Sequence, residues 1–396
     1  MGQFRAYLIS SGFSGMAFAM QQLLLSWVLV GILELPATEV GLLQALIGIP
    51  GIFLMLMGGA SADSGDPRRL LIIVYLVGPI FPLLLAYLSS EYGLAVWNVL
   101  LWALGMSVIQ AFSMPAQQAI LNRTSGPAIQ QGVTAATAVG FVVQIAGLGF
   151  ASQLDRFGVA TILVCQGAIL AVTAYSVTFI RGGDGGTAPS STGAIAQISA
   201  GLQAVKADQV ILKTLLINFI STIFNAGSFM TVFPFIVKRV YDGDAVMLAS
   251  LMAVFFFGAA CSNLVLLRFQ PLLHPGRIFL IMQLSRIIVL LILYIGGNWW
   301  MLALATVLWG LNMGVTSNLA RSIVQESAQP EFRGRILSVF SVGLMGSAPI
   351  GAVVLGALIE GVGTLNALIP AMMLSAILFA YGYLDRSLWQ YRSQIN

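Results

Sequence analysis

Charge is what this 396-residue sequence has least of: Asp, Glu, Lys and Arg make up 8% of it, against roughly 25% in a soluble domain. With 58% hydrophobic residues and a mean hydropathy of +0.93, a soluble globular fold is excluded and a polytopic membrane protein is described. Cysteine is almost missing. Cys165 and Cys261 stand alone in separate apolar runs, which excludes a disulfide framework or a metal knuckle. The only histidine, His274, falls in an expected loop, where a solvated side chain is its ordinary role. No phosphate-binding glycine loop ends in Lys-Ser or Lys-Thr, which speaks against an ATP-driven pump. Without a nucleophile and base or a cluster of His, Asp and Glu, an intramembrane enzyme is not expected, and neither is a cofactor or metal. The formal charge of +4 is explained by where the cations lie, so no nucleic-acid partner is implied.

Acids are also missing from the middle of every apolar run. All fourteen fall in loops or at run ends, with Glu34, Glu39, Glu91, Asp155, Asp242, Asp244 and Glu360 on one side and Asp63, Asp66, Asp184, Asp208, Glu326, Glu331 and Asp385 on the other. Proton-coupled antiport relies on a titratable carboxylate whose pKa burial can shift. None is evident, so a coupling proton is left open.

What the sequence does have is length in its apolar runs. A membrane-crossing helix needs ~20 mostly apolar residues, and twelve stretches qualify: 6–33, 38–60, 69–89, 93–120, 129–153, 158–180, 211–237, 245–267, 277–296, 299–325, 335–359 and 364–384. The first is too long, and lacks the small-residue cleavage site, to be a removable signal; it is expected to stay as the first span. Forty-two glycines suit helices that bring their backbones close in lipid. With the N-terminus inside, fourteen of the eighteen basic residues fall on the inner side, and Arg156, Lys238 and Arg239 outside. Basic residues accumulate in cytoplasmic loops, so both termini are expected to be cytoplasmic in a multi-pass protein of the cell (inner or plasma) membrane.

One break in composition, RGGDGGTAPSSTG from Arg181, marks a flexible linker. It divides the chain into an expected six-helix bundle over 1–180, a cytoplasmic linker over 181–210 and a second six-helix bundle over 211–396. In the linker, Ile195, Ile198, Leu202 and Val205 recur at helical spacing, which fits a short amphipathic helix at the inner membrane surface or an early start to span seven; Lys206, Asp208 and Lys213, costly inside lipid, favour the surface helix. An internal repeat supports two pseudo-symmetric halves. WALGM from Trp102 recurs as WGLNM from Trp309, and PRRLL from Pro67 has its counterpart in PGRIFL from Pro275. The fold class is therefore an all-α membrane protein of twelve transmembrane helices in two bundles.

Two short charged stretches interrupt the apolar sequence. GGASADSGDPRRLL, Gly58 to Leu71, sets Asp63 and Asp66 beside Arg68 and Arg69, and QPEFRGRILS, Gln329 to Ser338, puts Arg333 and Arg335 at the start of span eleven. A carboxylate is favoured beside a helix N-terminus, so Asp63 could bridge the two halves as a cytoplasmic latch. Equally, Asp63 and Asp66 could cap a tight turn while the arginines follow the inside-positive bias. Amides within spans tend to face a bundle interior or a water-filled path. Gln21, Gln22, Gln110, Gln144, Asn218, Asn225, Asn263, Gln283 and Asn312 form such a set, arguing together for a polar-lined cavity and singly for interhelical hydrogen bonds. Arg286 is the sharpest residue. It lies nine residues past Arg277, ~14 Å along a helix, where a charge needs a partner or water. An anionic substrate group would suit it; so would neighbouring carbonyls and amides.

These features resemble the major facilitator superfamily of secondary transporters. Gly59, Asp63, Arg68 and Arg69 match the positions of its signature loop, although Ser64 and Pro67 stand where further cations are usual. PEFRGRILS, GSAPIGAVVLG, AFSMPAQQAIL and GLQAVKADQVIL are similar to the branch containing the enterobactin exporter and macrolide-efflux permeases. GFVVQIAGLGFA in span five lacks the glycine-proline motif of many exporters. The resemblance implies a secondary transporter, with the latch in the charged loops, a small-molecule substrate and lipid bilayer as its partners, a monomeric state, and efflux of an amphipathic compound. An importer or lipid-moving permease of the same fold, or a non-transporting receptor, are the alternatives.

Overall fold

The computed structural model describes residues 2–64, 66–125, 129–181, 194–269, 272–329 and 331–393, without the side chains of 56–64, 125, 129–135, 138, 194–200 and 267. Every long element is a helix, and no strand occurs among the described residues. Spans one to six are Gly2–Ile32, Ala37–Ser64, Pro67–Tyr92, Val96–Ser125, Ile129–Ala151 and Val159–Val177. Spans seven to twelve are Gln209–Val240, Ala245–Phe269, Pro275–Ile295, Trp299–Ser327, Arg333–Val362 and Leu368–Asp385. Eleven of the described helices are long and apolar enough to cross a membrane; span five, with 23 residues, completes the set of twelve. The all-helical, twelve-span fold is that read from the run lengths.

Helix ends are set by local chemistry. Pro67 begins span three, where a missing N–H costs nothing, and Asp66 caps it by accepting from the Arg68 amide at 3.0 Å. Asp208 caps span seven through the Ile211 amide at 2.9 Å, and Asp244 caps span eight through Met247 at 2.8 Å. Spans three, nine and eleven stop at Gly93, Gly296 and Gly363, whose φ values of 78°, 69° and 92° a glycine adopts without strain. Spans one and seven, which occupy matching places in the repeat, both change to π geometry near their ends, at Val28–Ile32 and at Ser228–Val232 and Ile236–Val240.

The chain forms two compact units. The first comprises Met1–Leu35, Leu46–Ser191 and Tyr241–Ala253, the second Pro36–Ala45, Thr192–Val240 and Val254–Asn396. These differ from the sequence halves at Pro36–Ala45 and at Tyr241–Ala253, and for the first the contacts of span two give the reason. Glu360 accepts from the Ala37 amide at 2.7 Å. Gln44 donates to the Met230 carbonyl at 3.1 Å and accepts from the Thr231 hydroxyl at 2.9 Å. The first turns of span two are thus held by spans seven and eleven. Within the same unit, spans seven and eleven cross where a Cβ on Gly227 would lie 2.5 Å from the Gly351 carbonyl carbon, so only paired glycines permit the approach.

The linker helix, Ala194–Ala207, packs at its C-terminal end on span eleven. Gly201 sits against span eleven, where a Cβ would lie 2.6 Å from the Arg335 carbonyl oxygen. Val205 joins a buried cluster with Ile211 and Ile336, whereas Leu202 remains 45% exposed. This end of the stripe docks on protein because Gly201 lets it; Ile195 and Ile198 have no described side chains.

Candidate functional site

Span nine carries the centre of the site. Gln283 and Arg286, three residues apart, share a helix face and are 0% and 4% exposed. The Arg286 guanidinium donates through Nη1 to the Ser221 hydroxyl of span seven and to Gln283 Oε1 at 3.1 Å. Through Nη2 it donates to Asn312 Oδ1 of span ten at 3.3 Å. Each acceptor is itself held. Ser221 donates to Gln283 Oε1 at 3.1 Å, and Asn312 Nδ2 donates to the Met282 carbonyl and the Ser285 hydroxyl, both at 2.7 Å. Every side chain in this set is neutral except Arg286, and its Nε is buried with no partner. A buried ion without a counter-ion costs several kcal/mol; here neutral dipoles alone offset it.

Gln283, Arg286 and Asn312, expected as cavity residues, therefore meet in one network. Asn218, also buried, lies one turn before Thr222, whose hydroxyl donates to its carbonyl at 2.7 Å. Asn225 belongs to a different group: its Oδ1 accepts from Trp309 Nε1, and Trp309 stands edge-on to Phe229, Phe233 and Phe255 with centroids 5.6–5.8 Å away. Phe255 is buried in this box and Phe257 is 58% exposed. Asn263 accepts from Asn318 and donates to the Ala259 carbonyl at 3.2 Å.

In the first unit Gln21 is buried, Gln22 and Gln144 half-buried, and Gln110 exposed. Its polar network runs through residues not singled out in the sequence. Gln117 donates to Ser14 at 2.7 Å and to the Tyr75 hydroxyl, and Gln166 donates to the Ala17 carbonyl at 2.8 Å while its Oε1 is buried without a partner. The signal that could have found the first network lies in the repeat: Tyr75 stands eight positions after Pro67, as Gln283 stands eight after Pro275. Equivalent positions thus anchor a polar network in each unit.

The charged loops are engaged locally. Asp66 caps its own helix. Arg68 Nη2 and Arg123 Nη2 donate to the carbonyls of Thr178 at 2.9 Å and Arg181 at 2.7 Å, completing the end of span six, where positive charge is favoured. Arg69, Arg333 and Arg335 are exposed, Arg335 with its guanidinium 5.6 Å from the Phe332 ring. The Asp63 side chain lies outside the described residues. A cavity of about 430 Å³, lined among others by Gln203, Asp208, Gln329, Phe332 and Arg335, opens between the linker helix and spans seven, ten and eleven. Beyond the spans, His274 is held below its ordinary pKa by partial desolvation and by the charges of Arg277 and Arg392. No group of His, Cys, Asp and Glu among the described residues could hold a metal ion.

A family model described as transmembrane secretion effector, of the major facilitator type, matches residues 1–387. No curated protein sequence matches the chain. Among solved structures, a mutant of the nucleoside transporter NupG superposes with a TM-score of 0.78 at 15% identity, covering 96% of this chain and 99% of that one. A bacterial homologue of the human lysosomal transporter Spinster, inward-facing and unoccupied, gives 0.73 at 14%, covering 100% of both. A POT family transporter in complex with 5-aminolevulinic acid gives 0.76 at 11%, covering 97% and 96%. At these identities the structures share the fold.

Proposed function

Because the chain belongs to the transmembrane secretion effector family of major-facilitator-type transporters, we propose that it is a secondary active exporter of a small amphipathic compound, working by alternating access. The observation that carries this reading is the Arg286 network. A charge ~14 Å along its span, held by side chains of three helices and with no ion pair among the described residues, is costly for packing alone. It is of use in a site that receives a polar group. Ser221, Gln283, Arg286 and Asn312 then contact the polar part of the substrate, and the aromatic box around Trp309 supplies nearby apolar surface. The family's description as a secretion effector supports export, and the resemblance of PEFRGRILS and GSAPIGAVVLG to siderophore and macrolide exporters supports an amphipathic cargo. In this reading the protein is a monomer in the cell membrane with both termini cytoplasmic, and Asp63 works with Arg333 and Arg335 as the inner latch.

The test is uptake into everted membrane vesicles with a panel of labelled siderophores, macrolides and lysolipids, with and without an imposed pH gradient. Accumulation of one class above vesicles lacking the protein is the expected result, and its dependence on the gradient reads proton coupling. Movement of that class only in the opposite direction would refute export.

A further inference from the structure

An arginine presents five N–H donors in a planar fork, and the described neighbours of Arg286 take three of them. Nη1 is committed to Ser221 and Gln283, and Nη2 gives one hydrogen to Asn312. Nε, buried, gives its hydrogen to nothing. Nε–H and one hydrogen of Nη2 therefore stay unused on neighbouring nitrogens, and an Nε–Nη2 pair is the one that a carboxylate matches bidentately.

The charge is open as well. Spans seven and nine contain no Asp or Glu, and the only acid of span ten is Glu326 at its far end, where it accepts from Ser393 at 2.6 Å. A Glu in place of Gln283, one heavy atom different, would supply a permanent counter-ion at a position already 3.1 Å from Nη1. The network instead uses an amide, which fixes the guanidinium without neutralising it. We propose that the Nε–Nη2 edge of Arg286 is a binding site for a singly charged anion, either the carboxylate of an amphipathic substrate or chloride from the medium. The proposal rests on the reading that this network lies on the transport path, and adds that the site reads the charge of the head group.

The experiment uses the purified full-length chain in a neutral detergent and chloride-free sulfate buffer, with thermal unfolding followed while decanoate, decanamide or sodium chloride is titrated. Decanoate is expected to raise the midpoint saturably and decanamide, matched in chain length but uncharged, to leave it unchanged. Gln283→Glu and Arg286→Gln are each expected to raise the half-saturating decanoate concentration by about 30-fold or more, the loss typical of a broken buried charge pair. Gln283→Glu keeps a hydrogen-bonding group of the same size, so its folding is not the issue. A chloride response that decanoate only reproduces identifies the inorganic ion as the ligand; a further decanoate response above saturating chloride identifies the amphipathic carboxylate. Equal responses to decanoate and decanamide, or an unaltered decanoate response in Gln283→Glu, would overturn the proposal. The vesicle assay separates this from the transport reading: flux without head-group discrimination removes the anion site alone, whereas discrimination without flux of any compound removes the transport path and keeps the anion site.

Discussion

If Arg286 is held by neutral dipoles, the cost of removing one of them must depend on whether the charge is present. In the wild type, Asn312→Leu removes the Oδ1 that accepts from Arg286 Nη2 at 3.3 Å and the Nδ2 bonds to Met282 and Ser285, both 2.7 Å. A hydrogen bond to a charged group contributes about 1.5–3 kcal/mol, and an interhelical bond between neutral groups in a membrane averages about 0.6 kcal/mol. Asn312→Leu alone should therefore cost roughly 3–4 kcal/mol. With Arg286→Met already in place the charged term is gone, and the same substitution should cost only about 1 kcal/mol. The coupling between the two sites is then about 1.5–3 kcal/mol. Arg286→Met by itself should be close to neutral, because exchanging an unneutralised buried charge for an apolar side chain offsets the lost bonds. The assay is equilibrium unfolding of the four proteins by titrating a denaturing detergent into mild micelles. Additivity within about 0.5 kcal/mol would refute the network.

Three further outcomes are expected. Gly351→Leu cannot be placed without separating spans seven and eleven, since its Cβ would already lie 3.0 Å from the Gly227 backbone; it should cost about 1–3 kcal/mol, read as a lower unfolding midpoint. Glu360→Ala removes the acceptor of the Ala37 amide and an exposed pair with Arg239 at 3.4 Å; loss of the cap should cost about 1 kcal/mol and loss of the pair little, so Arg239→Ala should be the milder variant in the same assay. Asp63→Asn, or Arg333→Ala with Arg335→Ala, should weaken vesicle transport at unchanged membrane insertion; wild-type rates in both would remove the latch.

Much of the fold was legible because a bilayer reads length and polarity almost directly. Apolar runs between Pro67 and Tyr92 or Pro275 and Ile295 have proline starts and glycine stops, and those local signals place the spans. Tertiary partners are another matter. Gln110 and Gln117 lie seven residues apart in span four, on nearly one helix face, yet Gln110 is exposed and Gln117 bonds Ser14 and Tyr75. Nothing in the local sequence ranks one amide above the other, because the difference is made by what stands at the same depth on a neighbouring helix. Gln44 carries no local signal for the same reason: its partners, Met230 and Thr231, are distant in sequence. The linker helix has the periodicity of a membrane-surface helix, and only the close approach at Gly201 turns Val205 onto protein. Arg286 was conspicuous because a mid-span charge has few explanations; that its partners are Ser221, Gln283 and Asn312 required the three-dimensional arrangement.

In the proposed mechanism Arg286 serves a transported ligand rather than the fold. Flux of the substrate class found in everted vesicles, measured in proteoliposomes containing equal amounts of wild-type protein and Arg286→Gln, tests it most directly. The variant is expected to insert and to unfold at a similar midpoint but to need a much higher substrate concentration for half-maximal flux. A variant that unfolds far earlier, yet retains wild-type concentration dependence in the fraction that stays folded, would contradict it and make Arg286 a structural residue.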